Sequence, residues 1–272
     1  MPELPEVETT RRGIEPHVRG AHIREVIVRR GDLRQPVPPT LPEVAGAGIT
    51  AVHRRAKYLL LDLSDATTVL IHLGMSGSLR VIPAGDDWKK HDHVGITLDT
   101  GRQLRFHDPR RFGLMLHAPT ATMATHPLLA SLGPEPFDET FTPTHLKAAC
   151  ARRKAPVKTV IMDASVVVGV GNIYAAEALF LAGIHPFAPA HRITLPRLAR
   201  LTAAIREVLG AAIASGGTTL RDFLHSDGAP GYFRQKLMVY DRSGQPCRIC
   251  QTPVRHTTLA GRSTCWCPRC QH

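Results

Sequence analysis

The chain lacks several features that would each point to a protein class. No apolar run approaches the roughly 18 residues that cross a bilayer, so a helical membrane protein is excluded and no membrane partner is expected. The first residues are acidic and contain no apolar signal-peptide region, which makes a cytoplasmic protein the expectation. There is no internal repeat and no low-complexity segment. Acidic excess is missing too: 34 Lys and Arg against 23 Asp and Glu give a formal charge of +11 over 272 residues. That balance favours a polyanionic partner, with nucleic acid the leading candidate. Cysteines number only six, and in a cytosolic chain they read as metal ligands or free thiols rather than disulfides.

What is present divides into two halves. After an opening helical stretch come short β-rich runs: HIREVIVRR, ITAVHRRAKYLLLDL, TTVLIHLGMSGSLRVI, HVGITLDTGRQLRFHD and RFGLMLHA. Their alternation, and tight turns such as Asp99-Thr100-Gly101, predict antiparallel strands in a sandwich or barrel. From Thr142 the period changes. Thr142-Pro143 reads as an N-cap followed by proline at the first helical position. A helix is expected over Asn172–Ala182, stopped by Gly183 and Pro186. A third follows from Leu198, Leu201, Ile205, Val208 or Leu209, and Ala212, ended by Gly216-Gly217. The segment LGPEPFDETFTPT, rich in proline and acid, is the expected linker between the halves.

The C-terminal stretch CRICQTPVRHTTLAGRSTCWCPRC holds two C-x-x-C knuckles, Cys247 with Cys250 and Cys267 with Cys270. This is the spacing of a tetrahedral four-sulfur zinc site. Four thiolates leave no open coordination position, so the ion is expected to be structural. Cys265 would give a longer spacing and, like Cys150, is read as a non-ligand. Arg255, His256 and Arg262 fall between the knuckles, on what would be a metal-held hairpin that could meet phosphate.

Seven motifs then align in one order: PELPEVETTRRGIEPH, RRAKYLLLDL, HLGMSGSLR, DPRRFG, VVVGVGNIYAAEALFLAGIHP, GGTTLRDFLHSDGAPGYF and the terminal finger. End to end, the chain resembles bacterial formamidopyrimidine-DNA glycosylase. The resemblance implies an α+β multidomain fold: an N-terminal β-sandwich, a helix–two-turns–helix domain and a C-terminal four-cysteine zinc finger, with DNA held in the cleft between them. The corresponding boundaries are 1–132 for the N-terminal helix and sandwich, 133–141 for the linker, 142–235 for the helical domain with its lesion-capping loop, and 236–272 for the finger. The implied activity is excision of oxidised purines from duplex DNA and strand cleavage at the resulting abasic site by β,δ-elimination. One structural zinc ion, damaged double-stranded DNA as partner, no organic cofactor, and a monomer acting in the bacterial cytoplasm complete the expectation.

The crowded start then has a chemical reading. Removal of Met1 would leave Pro2 with a terminal secondary amine, and an α-amino group titrates near pH 8 where a lysine titrates near 10.4. Such an amine can attack C1′ of a deoxyribose and form a Schiff base, with the neighbouring Glu3 supplying or accepting the proton. The resemblance assigns these same roles to Pro2 and Glu3. Glu6 and Glu8 read as helix-supporting acids, with Glu6 also a candidate for support of the site. The resemblance further implies Lys57 as a phosphate ligand and proton donor, and Arg262 as a phosphate contact and participant in δ-elimination. It implies Met75, Arg110 and Phe112 as the triad that fills the void left by a flipped nucleotide. His91, Arg153, Lys158 and Asn172 are the implied contacts to the DNA backbone; Arg153 stands where lysine is common. GGTTLRDF corresponds to the lesion-capping loop. Two other readings stay open: an endonuclease VIII-like enzyme for oxidised pyrimidines, disfavoured by HLGMSG, DPRRFG and GGTTLRDF, and a non-catalytic binder of damaged DNA, disfavoured by intact Pro2, Glu3 and Lys57.

Overall fold

The structure is a computed structural model and describes residues 2–217 and 237–272. The lesion-capping motif from Thr218 onward lies outside the described residues. Those described form two compact units, residues 2–130 with 215–217, and residues 131–214 with 237–272.

The first unit opens with helix α1 (Leu4–Val18) and continues into eight strands: β1 (Ile23–Val28), β2 (Ile49–Arg55), β3 (Tyr58–Leu63), β4 (Thr67–His72), β5 (Ser78–Pro83), β6 (Asp92–Leu98), β7 (Arg102–His107) and β8 (Leu114–Pro119). They pair antiparallel in two four-stranded sheets, ordered β1-β6-β7-β5 and β2-β3-β4-β8. The sandwich expected from alternation is therefore present. Three of the apolar runs hold two strands each, broken at Ala56-Lys57, at 73–77 and at Asp99-Thr100-Gly101. Inward side chains such as Leu59, Leu61, Val69, Ile71, Ile96, Leu104 and Phe106 form one core with Val7, Ile14 and Val18 of α1. Burying a side chain of this size is worth about 1.5–3 kcal/mol. The two-residue period places Gln103 and Arg105 of β7 on the face opposite Leu104 and Phe106, yet Arg105 is fully buried. Its guanidinium lies over Trp88 at 4.1 Å and bonds to Gln103 Oε1 at 2.7 Å, to the carbonyls of Asp86 and Asp87, and to Asp92 at 3.4 Å. A buried charge survives because its donors are paired in this way.

The second unit holds α2 (Pro143–Cys150), α3 (Val157–Ile161), α4 (Asn172–Leu181), α5 (Leu195–Ala214) and a hairpin of β9 (Arg255–Leu259) with β10 (Arg262–Trp266). The cap read at Thr142 is formed: its hydroxyl accepts from His145 N–H at 3.1 Å. Helix α4 ends just before Gly183, as its sequence predicts, whereas the five-residue α3 has too short a period to be seen there. Nearly every α4 side chain after Asn172 is buried, as befits the central helix of this unit. The expected linker is not slack. Phe141 is fully buried, and Arg206 of α5 donates to the carbonyls of Pro136, Asp138 and Phe141, which fastens 133–141 to the helices. The finger likewise packs with the helices, since buried Glu177 accepts the amide hydrogens of Met238, Val239 and Tyr240 at 2.7–3.0 Å.

Candidate functional site

In the first unit, Pro2 and Glu3 sit at the start of α1, both buried, with Glu3 in extended conformation as the N-cap residue. Glu6, fully buried, turns its Oε2 back to accept the Glu3 amide at 2.8 Å. The acids of the opening segment are thus divided in role: Glu6 fixes the backbone of Glu3, and Glu8 ties the helix to the sheet. Glu8 bonds to Arg11 and Arg12 on its own helix and to Arg54 of β2 at 3.2 Å. Burial pushes the Glu8 carboxyl up, but the bonds from Arg11 and Arg12 and the charge of Arg54 outweigh it and hold the group below the usual carboxylate range. Arg54 also donates to the Ala56 carbonyl at 3.0 Å. Ala56 has φ of +53° and forms, with Lys57, the two-residue turn between β2 and β3. The Glu8–Arg54 pair therefore links α1, which follows Pro2 and Glu3, to the turn that carries Lys57.

The void-filling candidates occupy two touching loops. Met75 lies in the 73–77 connection, and Arg110 and Phe112 follow β7; Met75 is 37% and Phe112 44% exposed. The Arg110 guanidinium lies 5.0 Å from the Phe112 ring centre. The loops meet backbone to backbone: a Cβ on Gly74, whose φ is +66°, would stand 2.4 Å from Phe112 C and Gly113 N. Any other residue there would drive the loops apart.

His91, half-buried just before β6, lies edge-on to the rings of His107 at 5.9 Å and His93 at 6.5 Å. Partial burial and the neighbouring His107, Lys90 and His93 lower its pKa. His107 in turn bonds to Asp92 Oδ1 at 2.8 Å. The sequence reading passed over His72, on the strand leading into HLGMSG. Its Nδ1 accepts from Gly74 N–H at 2.9 Å, and burial, then the charges of Arg34 and Lys57, lower its pKa to about 4. With Nδ1 accepting, the neutral ring carries its proton on Nε2.

In the second unit, the four knuckle sulfurs lie within 4.8 Å of one another, with Cys247 and Cys270 at 3.9 Å and Cys250 and Cys267 at 3.4 Å. A zinc tetrahedron with bonds of about 2.3 Å has edges of about 3.8 Å, so this donor set fits the ion. Cys265 packs instead in the apolar cluster with Phe180 and Val254, and Cys150 is buried on α2, where burial raises its thiol pKa.

Arg262 opens β10, just after the turn Ala260-Gly261, whose φ values of +48° and +72° are those of a tight hairpin turn. The neighbouring Ser263 carbonyl accepts from Lys158 Nζ at 3.1 Å and from Asn172 Nδ2 at 2.9 Å. Lys158 also donates to Thr264 Oγ1 at 2.7 Å and is only 1% exposed. Lys158, an expected contact to the DNA backbone, is thus buried against the strand that Arg262 opens, with its ammonium hydrogens given to protein acceptors as an enclosed charge requires. Asn172 begins α4 and holds the same carbonyl. Arg153 makes an exposed pair with Asp163 at 2.7 Å.

Three family models match: the formamidopyrimidine-DNA glycosylase N-terminal domain over residues 1–115, the formamidopyrimidine-DNA glycosylase H2TH domain over 132–224, and the zinc finger found in FPG and IleRS over 244–272. A formamidopyrimidine-DNA glycosylase of Stenotrophomonas maltophilia is 56% identical over all 272 residues, covering the whole of both chains. Among solved structures, MutM (FPG) of Thermus thermophilus has a TM-score of 0.90 at 40% identity, covering 99% of this chain and 98% of that one. Lactococcus lactis FPG in complex with Fapy-dG-containing DNA has a TM-score of 0.92 at 30% identity, covering 99% and 100%.

Proposed function

The chain belongs to the formamidopyrimidine-DNA glycosylase family, and from that premise we propose that its chemistry resides in Pro2, Glu3 and Lys57 and its hold on DNA in the residues of both units named above. It is a base-excision repair enzyme, a DNA glycosylase for oxidised purines with abasic-site lyase activity, and its finger holds one structural zinc ion.

The observation that carries the assignment is the construction of the chain start. Removal of Met1 exposes the Pro2 amine beside a buried Glu3 whose backbone is held by Glu6. Attack of that amine on C1′ expels the damaged base with its bonding pair. As the sugar ring opens, Glu3 supplies the proton and an iminium joins Pro2 to C1′. That cation acidifies the adjacent hydrogen on C2′, whose loss expels the 3′ phosphate; loss of a second sugar hydrogen, from C4′, through the conjugated iminium then expels the 5′ phosphate. Lys57, on a turn braced through Arg54 to α1, would ligand a phosphate beside this centre and move the proton of elimination. Bound at Cys247, Cys250, Cys267 and Cys270, zinc supplies no chemistry of its own. It fixes the hairpin on which Arg262 meets the phosphates flanking the lesion.

Met75 and Phe112 supply apolar surface to the emptied stack, and Arg110 reads the orphaned cytosine. His91, Arg153 and Asn172 would contact the backbone near the lesion, and Lys158 would serve the same contact indirectly by carrying the Arg262 strand. All these residues come from a single copy, so one chain acting on chromosomal DNA in the bacterial cytoplasm suffices. The test compares excision of 8-oxoguanine opposite cytosine with excision of thymine glycol in the same duplex. Faster removal of 8-oxoguanine is expected; faster removal of thymine glycol would move the chain to the endonuclease VIII-like class, and no excision of either would leave a binder.

A further inference from the structure

The carboxylate of Asp108 is buried at the root of the void-filling loops and fully withdrawn from solvent. Its Oδ1 accepts from Ser76 Oγ at 2.8 Å and from Arg110 N–H at 3.3 Å, and its Oδ2 accepts from Gly113 N–H at 2.8 Å. Ser76 follows Met75, while Arg110 and Gly113 bracket Phe112. One side chain therefore joins the loop that presents Met75 to the loop that presents Arg110 and Phe112. The main chain of Asp108 is fastened as well, its carbonyl to His93 Nε2 at 2.8 Å and its amide to the His91 carbonyl at 3.0 Å. Above this buried joint the tips stand out, Met75 37% and Phe112 44% exposed.

We propose that Asp108 is a positioning residue for opposite-base selection: its carboxylate fixes the spacing between Met75 and the Arg110–Phe112 pair, and that spacing decides how well the guanidinium meets the orphaned base. This rests on reading those three residues as the void-filling triad. The chemistry of the joint requires a carboxylate. Three donors converge on two oxygens that only accept, and an amide of the same shape would turn an NH2 group toward at least one donor. The energetic consequence is directional, since a displaced loop shifts Arg110 relative to Met75.

The experiment measures single-turnover excision of 8-oxoguanine opposite cytosine and opposite adenine for the full-length zinc-loaded enzyme, Asp108→Asn, Ser76→Ala and Arg110→Ala. A selectivity ratio is insensitive to the fraction of folded protein, because lost enzyme scales both rates alike. Asp108→Asn is expected to lower the cytosine-to-adenine ratio at least about fivefold, the lower end of what one base-edge contact is worth. Ser76→Ala, which removes one strut and leaves the carboxylate, should lower it by a smaller factor in the same direction and decides the matter if Asp108→Asn does not fold. A flattened ratio in Arg110→Ala with an unchanged ratio in both joint variants would overturn the role of Asp108. An unchanged ratio in Arg110→Ala itself would overturn the triad reading beneath it.

Discussion

The two units keep their functional side chains in place by different means. In the sandwich, exposed or reactive groups stand on buried carboxylates: Glu6 beneath Glu3, Glu8 between α1 and β2, Asp92 beneath His107, Asp108 beneath Arg110 and Phe112. A continuous apolar core surrounds them. In the helix-and-finger unit the apolar cluster around the knuckles is small, and Arg262 depends on a metal-fitted set of four sulfurs with Lys158 and Asn172 beneath its strand. The lesson is that the supports in the sandwich are carboxylates set in an apolar core, whereas the support of Arg262 includes a donor set built for an ion.

The largest way to break that contrast is to remove the ion. Cys250→Ala should reduce zinc content from one per chain to near none and abolish binding to lesion-bearing duplex, while the sandwich keeps its cooperative unfolding; atomic absorption, DNA titration and denaturant unfolding together read the outcome. Full zinc content in the variant would contradict the four-cysteine site.

Glu3→Gln sharpens the other side. It should lower excision by about 10²–10⁴, the usual share of a positioned proton donor, while zinc content and DNA affinity stay near those of the parent. Equal losses in affinity and rate would make Glu3 a structural cap.

Lys158→Met should come next in size. It removes the charged donor to the buried Thr264 hydroxyl, which keeps only its own bond to the Arg262 carbonyl at 3.2 Å, and should cost about 1–3 kcal/mol of unfolding free energy, with weaker strand cleavage as Arg262 loses its support. No change in the zinc-saturated urea midpoint would show that the strut carries nothing.

The smallest effect is a pH dependence in the sandwich. Folded His72 stays neutral down to about pH 4, whereas the unfolded chain takes up the proton near 6.5, so the unfolded state binds more protons between those values. Stability from this group is present above pH 6.5 and is lost as pH falls toward 4. Lowering pH from 7 to 5 should cost on the order of 1–2 kcal/mol through His72, and His72→Gln should flatten that part of the profile. Asp92, whose pKa is brought to about 2 by His107, the Lys89 amide and Arg80 against the opposing effect of burial, weakens the fold only below pH 4 and is separable.

Much of this was legible in residue order. The strands announce themselves by alternation, the cap by Thr142-Pro143, and the metal by its knuckle spacing. The supports were not legible, because a sequence does not reveal which donors meet a carboxylate. Asp108 stands in DPRRFG directly before the residues singled out there, yet its partner Ser76 lies 32 positions away. Lys158, implied by the resemblance as a contact to the DNA backbone, gives no sign of burial in the sequence until Thr264, 106 positions on, is seen against its ammonium. The buried stack of Arg105 on Trp88 was hidden for the same reason: alternation on β7 shows which side chains share a face but not what covers the outer one.

The most direct measurement is borohydride trapping on a duplex with 8-oxoguanine opposite cytosine, comparing the processed chain with one carrying a single uncleaved residue before Pro2. If the Pro2 amine is the nucleophile, the processed chain becomes covalently joined to DNA and the extended chain does not, although it still binds zinc and the duplex. Undiminished trapping by the extended chain would place the nucleophile elsewhere and contradict the assignment of the chemistry to the chain start.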